Sequence, residues 1–244
     1  MRRGDAAGML SAFTLFAAGR RLIGRQNHAG DYAKHSTASD DPMLPRSTIK
    51  PLRRHVLPLA LALSSTLFAL LGEAASHALR YDRGAILAGQ WWRLISGNLV
   101  HLGWSHLLLN LAGLLLVWLL FHRMLSTRDW IVVTLASSLA VGGGLLLFDP
   151  DLRWYVGLSG ALHGLFAAGL LTSLLAGNRA EWLLLAFFVA KLTWEQLVGP
   201  TPGTAALAGG NVVVDAHLYG AAGGAVTALI LATIAKRRRP RTAP

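Results

Sequence analysis

Cysteine is absent from the 244 residues. Disulfides and thiolate metal sites are therefore excluded, and cysteine usage carries no information on redox compartment. Charge is scarce: Asp, Glu, Lys and Arg make up 14% of the chain, against about 25% in an ordinary soluble domain. The deficit is concentrated after residue 55, which excludes a water-soluble body over most of the length. Acidic residues are the rarer kind, 12 against 23 basic ones. No His-Glu-x-x-His run occurs, and no carboxylate stands at ligand spacing from a histidine on one expected helix, so His101, His106, His163 and His217 are not read as a metal site. No internal repeat relates the two halves, which argues against a transporter built on paired broken helices.

What the chain does have is long apolar runs. A spanning helix needs about 20 apolar residues, and the candidates are 56–74, 105–122, 130–148, 159–177, 181–198 and 214–235. The expected fold is thus an all-α membrane protein, a bundle of six transmembrane helices. The expected organisation is a basic, disordered N-terminal tail at 1–50, a six-helix domain at 51–236 and a basic cytoplasmic tail at 237–244. Met9 to Ala18 has the length of a signal-peptide core, but no small-residue cleavage site follows and Arg20-Arg21 come next. Met43 is an alternative start.

The net charge of +11 lies mostly at the two ends. Loops rich in Lys and Arg stay in the cytoplasm, and an even number of spans places both termini there. The short loops at 123–129 and 178–180 carry Arg123, Arg128 and Arg179, while 199–213 has no Lys or Arg. The segment 75–104 breaks this trend with Arg80, Arg83 and Arg93, but long loops follow the rule weakly. Its Trp91, Trp92, Arg93 and Trp104 suit a membrane–water boundary, so a partly helical element in the outer leaflet is expected there, with a plain extracellular loop as the alternative. The basic ends are read as topology signals and not as a nucleic-acid surface.

Ionisable and nucleophilic groups within apolar helices read as functional by default. Ser159 opens one such run, with Gly157, Gly160 and Gly164 around it, and unpaired backbone N–H groups at a helix start can hold a developing oxyanion. Ordinary small-residue helix packing is the plainer explanation of that stretch taken alone. His217 opens the last run, followed by Gly220 and Gly224. If that glycine face meets the one around Ser159, hydroxyl and imidazole lie at the same depth, as a nucleophile and its general base require. His106 and Asn110, spaced i,i+4, share a helix face and either donate to a negative oxygen or serve as interhelical glue. Asp215, two residues before His217, points elsewhere on a helix, so the centre is read as a dyad. Lys191 and Glu195, also i,i+4, are read first as a mutual ion pair that lowers insertion cost, and second as a polar strip facing the site. The Gly142-Gly143-Gly144 run is read as close packing or a local break without chemistry.

Four separated pieces together resemble the rhomboid intramembrane serine proteases: Trp92-Arg93; His106 with Asn110; Gly157-x-Ser159-Gly160; and Ala216-His217-x-x-Gly220-x-x-x-Gly224. The resemblance covers roughly residues 50–236. It implies Ser159 as nucleophile, His217 as base, and an oxyanion hole from His106, Asn110 and the Ser159 N–H. It also implies a membrane-embedded first loop, substrate access beside the fifth span, and no cofactor or metal. Many rhomboids carry Tyr or Phe one turn after the serine; here it is His163, and the run Gly-Leu-Ser-Gly-x-x-His-Gly looks like the rhombosortase branch. That branch implies membrane-anchored, exported bacterial substrates ending in a Gly-Gly sorting tail, cleaved at the outer side of the inner membrane. The alternative expectation is a catalytically inactive, rhomboid-like chaperone or escort.

Overall fold

The computed structural model describes residues 55–238. The expected N-terminal tail, the Met9–Ala18 run and most of the basic C-terminal tail lie outside the described residues. Helices dominate. They are α1 (Val56–Leu70), α2 (Gly72–Leu79), α3 (Arg83–Leu87), α4 (Arg93–Ser96), α5 (Trp104–Phe121), α6 (Thr127–Phe148), α7 (Ser159–Leu175), α8 (Glu181–Leu197), α9 (Thr204–Ala208) and α10 (Val214–Arg238). Two short strands, β1 (Tyr81–Asp82) and β2 (Trp154–Tyr155), pair antiparallel.

Helices α5, α6 and α10 are long and apolar enough to cross a membrane, and α1 with α2 makes a fourth candidate only as one bent unit. The expected first span over 56–74 is not one continuous helix: α1 stops at Leu70 and the chain turns through 118° into α2. Gly72 sits at the break with φ +66°, a backbone region that side-chain-bearing residues avoid. Helix α7 has 17 residues, about 26 Å at 1.5 Å per residue, a little short of a hydrocarbon core about 30 Å thick. Ten of its residues are buried, because α5, α6, α8 and α10 all pack on it. A helix enclosed by others need not match the lipid thickness by itself.

Helix α6 begins three residues before the expected 130. Ser126 accepts from the Asp129 N–H and Asp129 reaches back to the Ser126 N–H, a capping box that lets polar residues open the helix. The Gly142-Gly143-Gly144 run causes no break. Gly142 lies against the Leu94 backbone and Gly144 against the Tyr219 ring, where a Cβ would collide.

The segment between α2 and α5 is partly helical, as expected, but Arg93 is not a boundary group. It is buried, donating to the carbonyls of His77 and Arg80 at 2.9 Å each and to Gln90 Oε1 at 2.7 Å. Trp91, Trp92 and Trp104 are the exposed members. The strand pair, which apolar periodicity did not suggest, ties this segment to the one leading into α7.

Candidate active site

Ser159 stands at the first position of α7, and its approach is fixed by backbone bonds. The Gly157 N–H donates to the Gly97 carbonyl at 3.0 Å, and the Tyr155 hydroxyl donates to the Gly157 carbonyl at 2.7 Å. Gly157 has φ +128°, and a Cβ there would strike the His106 ring. The missing side chain therefore lets the loop before Ser159 lie against His106.

His217 stands in the first turn of α10 and is buried. Helices α7 and α10 touch through their glycines. A Cβ on Gly220 would run into the Gly160 carbonyl, one on Gly224 into the Gly164 carbonyl, and one on Gly160 into the Ala216 carbonyl. Small residues permit this backbone approach in a membrane bundle. The result is that Ser159 Oγ lies 3.0 Å from His217 Nε2, across 58 residues of chain. Ser159 also faces a cavity of about 580 Å³ that Leu102, His106, Trp154, Asn211 and Val213 help to line.

His106 lies on α5. Its Nδ1 accepts from the Leu102 N–H at 3.3 Å. A backbone amide can only donate, so the imidazole proton sits on Nε2, free to be donated. Asn110, one turn further along α5, is buried and donates one amide proton to the His106 carbonyl at 2.9 Å. It is not among the residues lining the cavity. His101 packs edge-on against His106, with ring centroids 5.1 Å apart. Its burial, and then the neighbouring His106 ring, push its pKa down to about 3.

His163 stacks on His217 with centroids 4.1 Å apart, and its Nδ1 meets the Ser159 carbonyl at 2.7 Å. Lys191 and Glu195 do form the expected ion pair, at 2.7 Å, but they do more than neutralise each other. Glu195 Oε2 lies 3.0 Å from His217 Nδ1, and Lys191 Nζ is bonded to His163 Nε2. A carboxylate thus meets the second ring nitrogen of His217, and it arrives from α8. Asp215, the near neighbour in sequence, has no hydrogen bond or ion pair to His217 among the described residues. A signal for Glu195 was present, since an acidic residue inside an apolar helix turns toward the protein interior. Ligand atoms of His163, Glu195 and His217 lie within 4.8 Å of one another. Spacing of that kind also suits a cation, and the Lys191 ammonium already stands among them.

Fold and site together define an integral membrane protein with a hydroxyl–imidazole centre at the start of two glycine-packed helices. Residues 88–234 match the Rhomboid domain, and the chain belongs to the rhomboid family. It is 28% identical to the "Putative rhomboid protease YdcA" of Bacillus subtilis (strain 168) over 158 residues, 65% of this chain and 75% of that protein. It is 29% identical over 102 residues to the "Rhomboid protease GluP" of the same organism, 42% of this chain but 19% of that longer protein.

Proposed function

We propose that the protein is an intramembrane serine endopeptidase. The observation that carries this reading is the contact of Ser159 Oγ with His217 Nε2 at the edge of the cavity. In the reaction the hydroxyl proton moves to Nε2 as Oγ attacks a peptide carbonyl carbon. The carbonyl oxygen becomes an oxyanion and accepts from the Ser159 backbone N–H and from His106 Nε2–H, with the remaining Asn110 amide proton in reserve. The imidazolium returns its proton to the leaving amine, leaving an acyl-enzyme. Water then attacks the ester with His217 again as base, and Ser159 is released.

The bilayer arrangement follows the family. Helices α1, α5, α6, α7, α8 and α10 supply six spans, with the segment before α5 embedded in the outer leaflet and both termini cytoplasmic in a bacterial inner membrane. The substrate class is the membrane-anchored, exported protein with a Gly-Gly sorting tail, supported by His163 in the rhombosortase pattern. Glycine at the cut suits the chemistry, because it costs a helix about 1 kcal/mol relative to Ala and eases local unwinding.

The test uses purified protein in liposomes with a Gly-Gly-tailed, membrane-anchored substrate. Wild type cleaves it, while Ser159→Ala and His217→Ala do not. Cleavage that survives either substitution rejects the assignment. A substrate whose two glycines are replaced by leucines should be cleaved at least tenfold more slowly; equal rates reject the sorting-tail specificity and leave the protease.

A further inference from the structure

The hydrogen bonds behind His217 form a chain in which every proton position follows from the partner. A backbone carbonyl can only accept, so His163 Nδ1 carries a proton and donates it to the Ser159 carbonyl. His163 Nε2 is then a bare lone pair, and it accepts from the Lys191 ammonium. Lys191 has no lone pair to offer and donates a second proton to Glu195 Oε2 at 2.7 Å. The ionised carboxylate accepts again, from His217 Nδ1–H at 3.0 Å. That leaves His217 Nε2 unprotonated and turned to Ser159 Oγ at 3.0 Å. The chain starts at the backbone of Ser159 and ends at its side chain.

We propose that Glu195 is the positioning carboxylate of this centre, and that Lys191, anchored on His163, shares its Oε2 and holds it aimed. Glu195 fixes the tautomer in which Nε2 can take the serine proton, and it faces the imidazolium that the proton transfer creates. Lys191 sets the strength of that effect by sharing the same carboxylate oxygen. The inference rests on the serine-protease reading above.

Two further observations favour this role over plain ion-pairing. The first is burial. Of the 17 residues of α8, only Glu181 and Glu195 are buried, and the Glu195 side chain is 2% exposed. An ion pair needed only for insertion gains nothing from such a place, since buried pairs are weak stabilisers compared with apolar packing. The second is geometry. Two rings are stacked, at 4.1 Å and 14°, so that the Nε2 of one and the Nδ1 of the other both face the Lys191–Glu195 pair. The groups that bear on His217 are Glu195 and Lys191 from α8, His163 from α7, His106 from α5, and Asp215 on its own helix.

The experiment measures kcat, KM and the pH–rate profile of full-length protein in liposomes for wild type, Glu195→Gln, Glu195→Asp and Lys191→Met. Ser159→Ala and His217→Ala run alongside. Glu195→Gln keeps shape and removes charge; kcat should fall about 10³–10⁴-fold, the scale seen when an orienting carboxylate loses its charge in a serine protease, with KM within about threefold. Glu195→Asp should recover at least tenfold of that loss. Without the carboxylate, the ring needs more acid to gain its proton, so the acid limb of the profile moves to lower pH in Glu195→Gln. Without the ammonium, the repulsion is gone, so the limb moves to higher pH in Lys191→Met. Opposite movements support the inference, because loss of packing would not follow the sign of the charge. Wild-type kcat in Glu195→Gln, or limbs that stay in place in both variants, overturns it. Should Ser159→Ala or His217→Ala cleave like wild type, the protease reading itself has failed.

Discussion

His163 and His217 lie ring on ring, at an interplanar angle of 14°, although they belong to different helices. Position 163 follows Ser159 by four residues, one turn of α7, so the ring that covers His217 is carried by the same helix as Ser159. Its other nitrogen contact, to the Ser159 carbonyl, prevents it from rotating away. A phenylalanine ring would cover His217 as well but has no lone pair to accept from Lys191. The choice of histidine thus joins α7, α8 and α10 through one side chain.

The backbone contact of α7 with α10 makes a direct prediction. Gly220→Ala would drive a methyl group into the Gly160 carbonyl. Overpacking of this kind costs about 1–3 kcal/mol, and it should part Ser159 from His217. Thermal unfolding in detergent should show the loss of stability, and cleavage should fall at least tenfold. Gly143→Ala, on a face of α6 where a Cβ meets nothing within 4 Å, is the control and should behave as wild type.

A second prediction concerns the oxyanion. His106→Ala removes one donor and should lower kcat about 10²–10³-fold with little change in KM. Gly157→Ala should act in the same direction for a different reason. It strains a backbone at φ +128° and pushes on the His106 ring. Steady-state kinetics on one substrate would show both; a change confined to KM would instead place His106 in ground-state binding.

Acid stability supplies a third. His101 precedes α5, and burial holds its pKa down at about 3 against an ordinary 6.5. The unfolded chain takes up this proton near pH 6.5 and the folded chain only near 3. His101 therefore favours the folded state above pH 6.5, and that contribution is lost as pH falls from 6.5 toward 3. His101→Gln should flatten the fall of the unfolding temperature between pH 7 and 4, measured by thermal scans at fixed ionic strength. An unchanged slope would mean that the ring is protonated in the folded protein.

Much of this arrangement was legible in the residues because the relevant signals are local. Apolar runs mark α5, α6, α7, α8 and α10 to within a few residues, since each helix must offer apolar surface to its surroundings. The Ser159–His217 contact was legible as a condition, because two glycine faces, Gly160 with Gly164 and Gly220 with Gly224, bring the two residues to one depth if they meet. The bend after Leu70 was not legible, because one glycine in an apolar run is compatible with a straight helix. Glu195 was legible as costly but not as a partner of His217. Spacing along α8 pairs it with Lys191, whereas its contact with α10 depends on how α8 is rotated about its axis. Arg93 misled for a related reason: a guanidinium beside tryptophans suits an interface, yet three acceptors inside the loop hold it more strongly.

Helix α8 leaves the ribosome before α10, so His217 does not yet exist when Glu195 meets the membrane. At that moment a lone carboxylate in the last turn of an apolar segment carries an insertion cost, because an ionised group is expensive to place among lipid chains. Lys191, one turn away on the same helix, is a partner available from the instant the helix forms. The pair can therefore act as a temporary counter-ion during synthesis, and the same carboxylate acquires its second neighbour only when the last helix arrives. If Glu195 serves the proposed chemistry, biogenesis and catalysis draw on one ionised group at different times, and a change that spares the finished fold still costs the cell its yield.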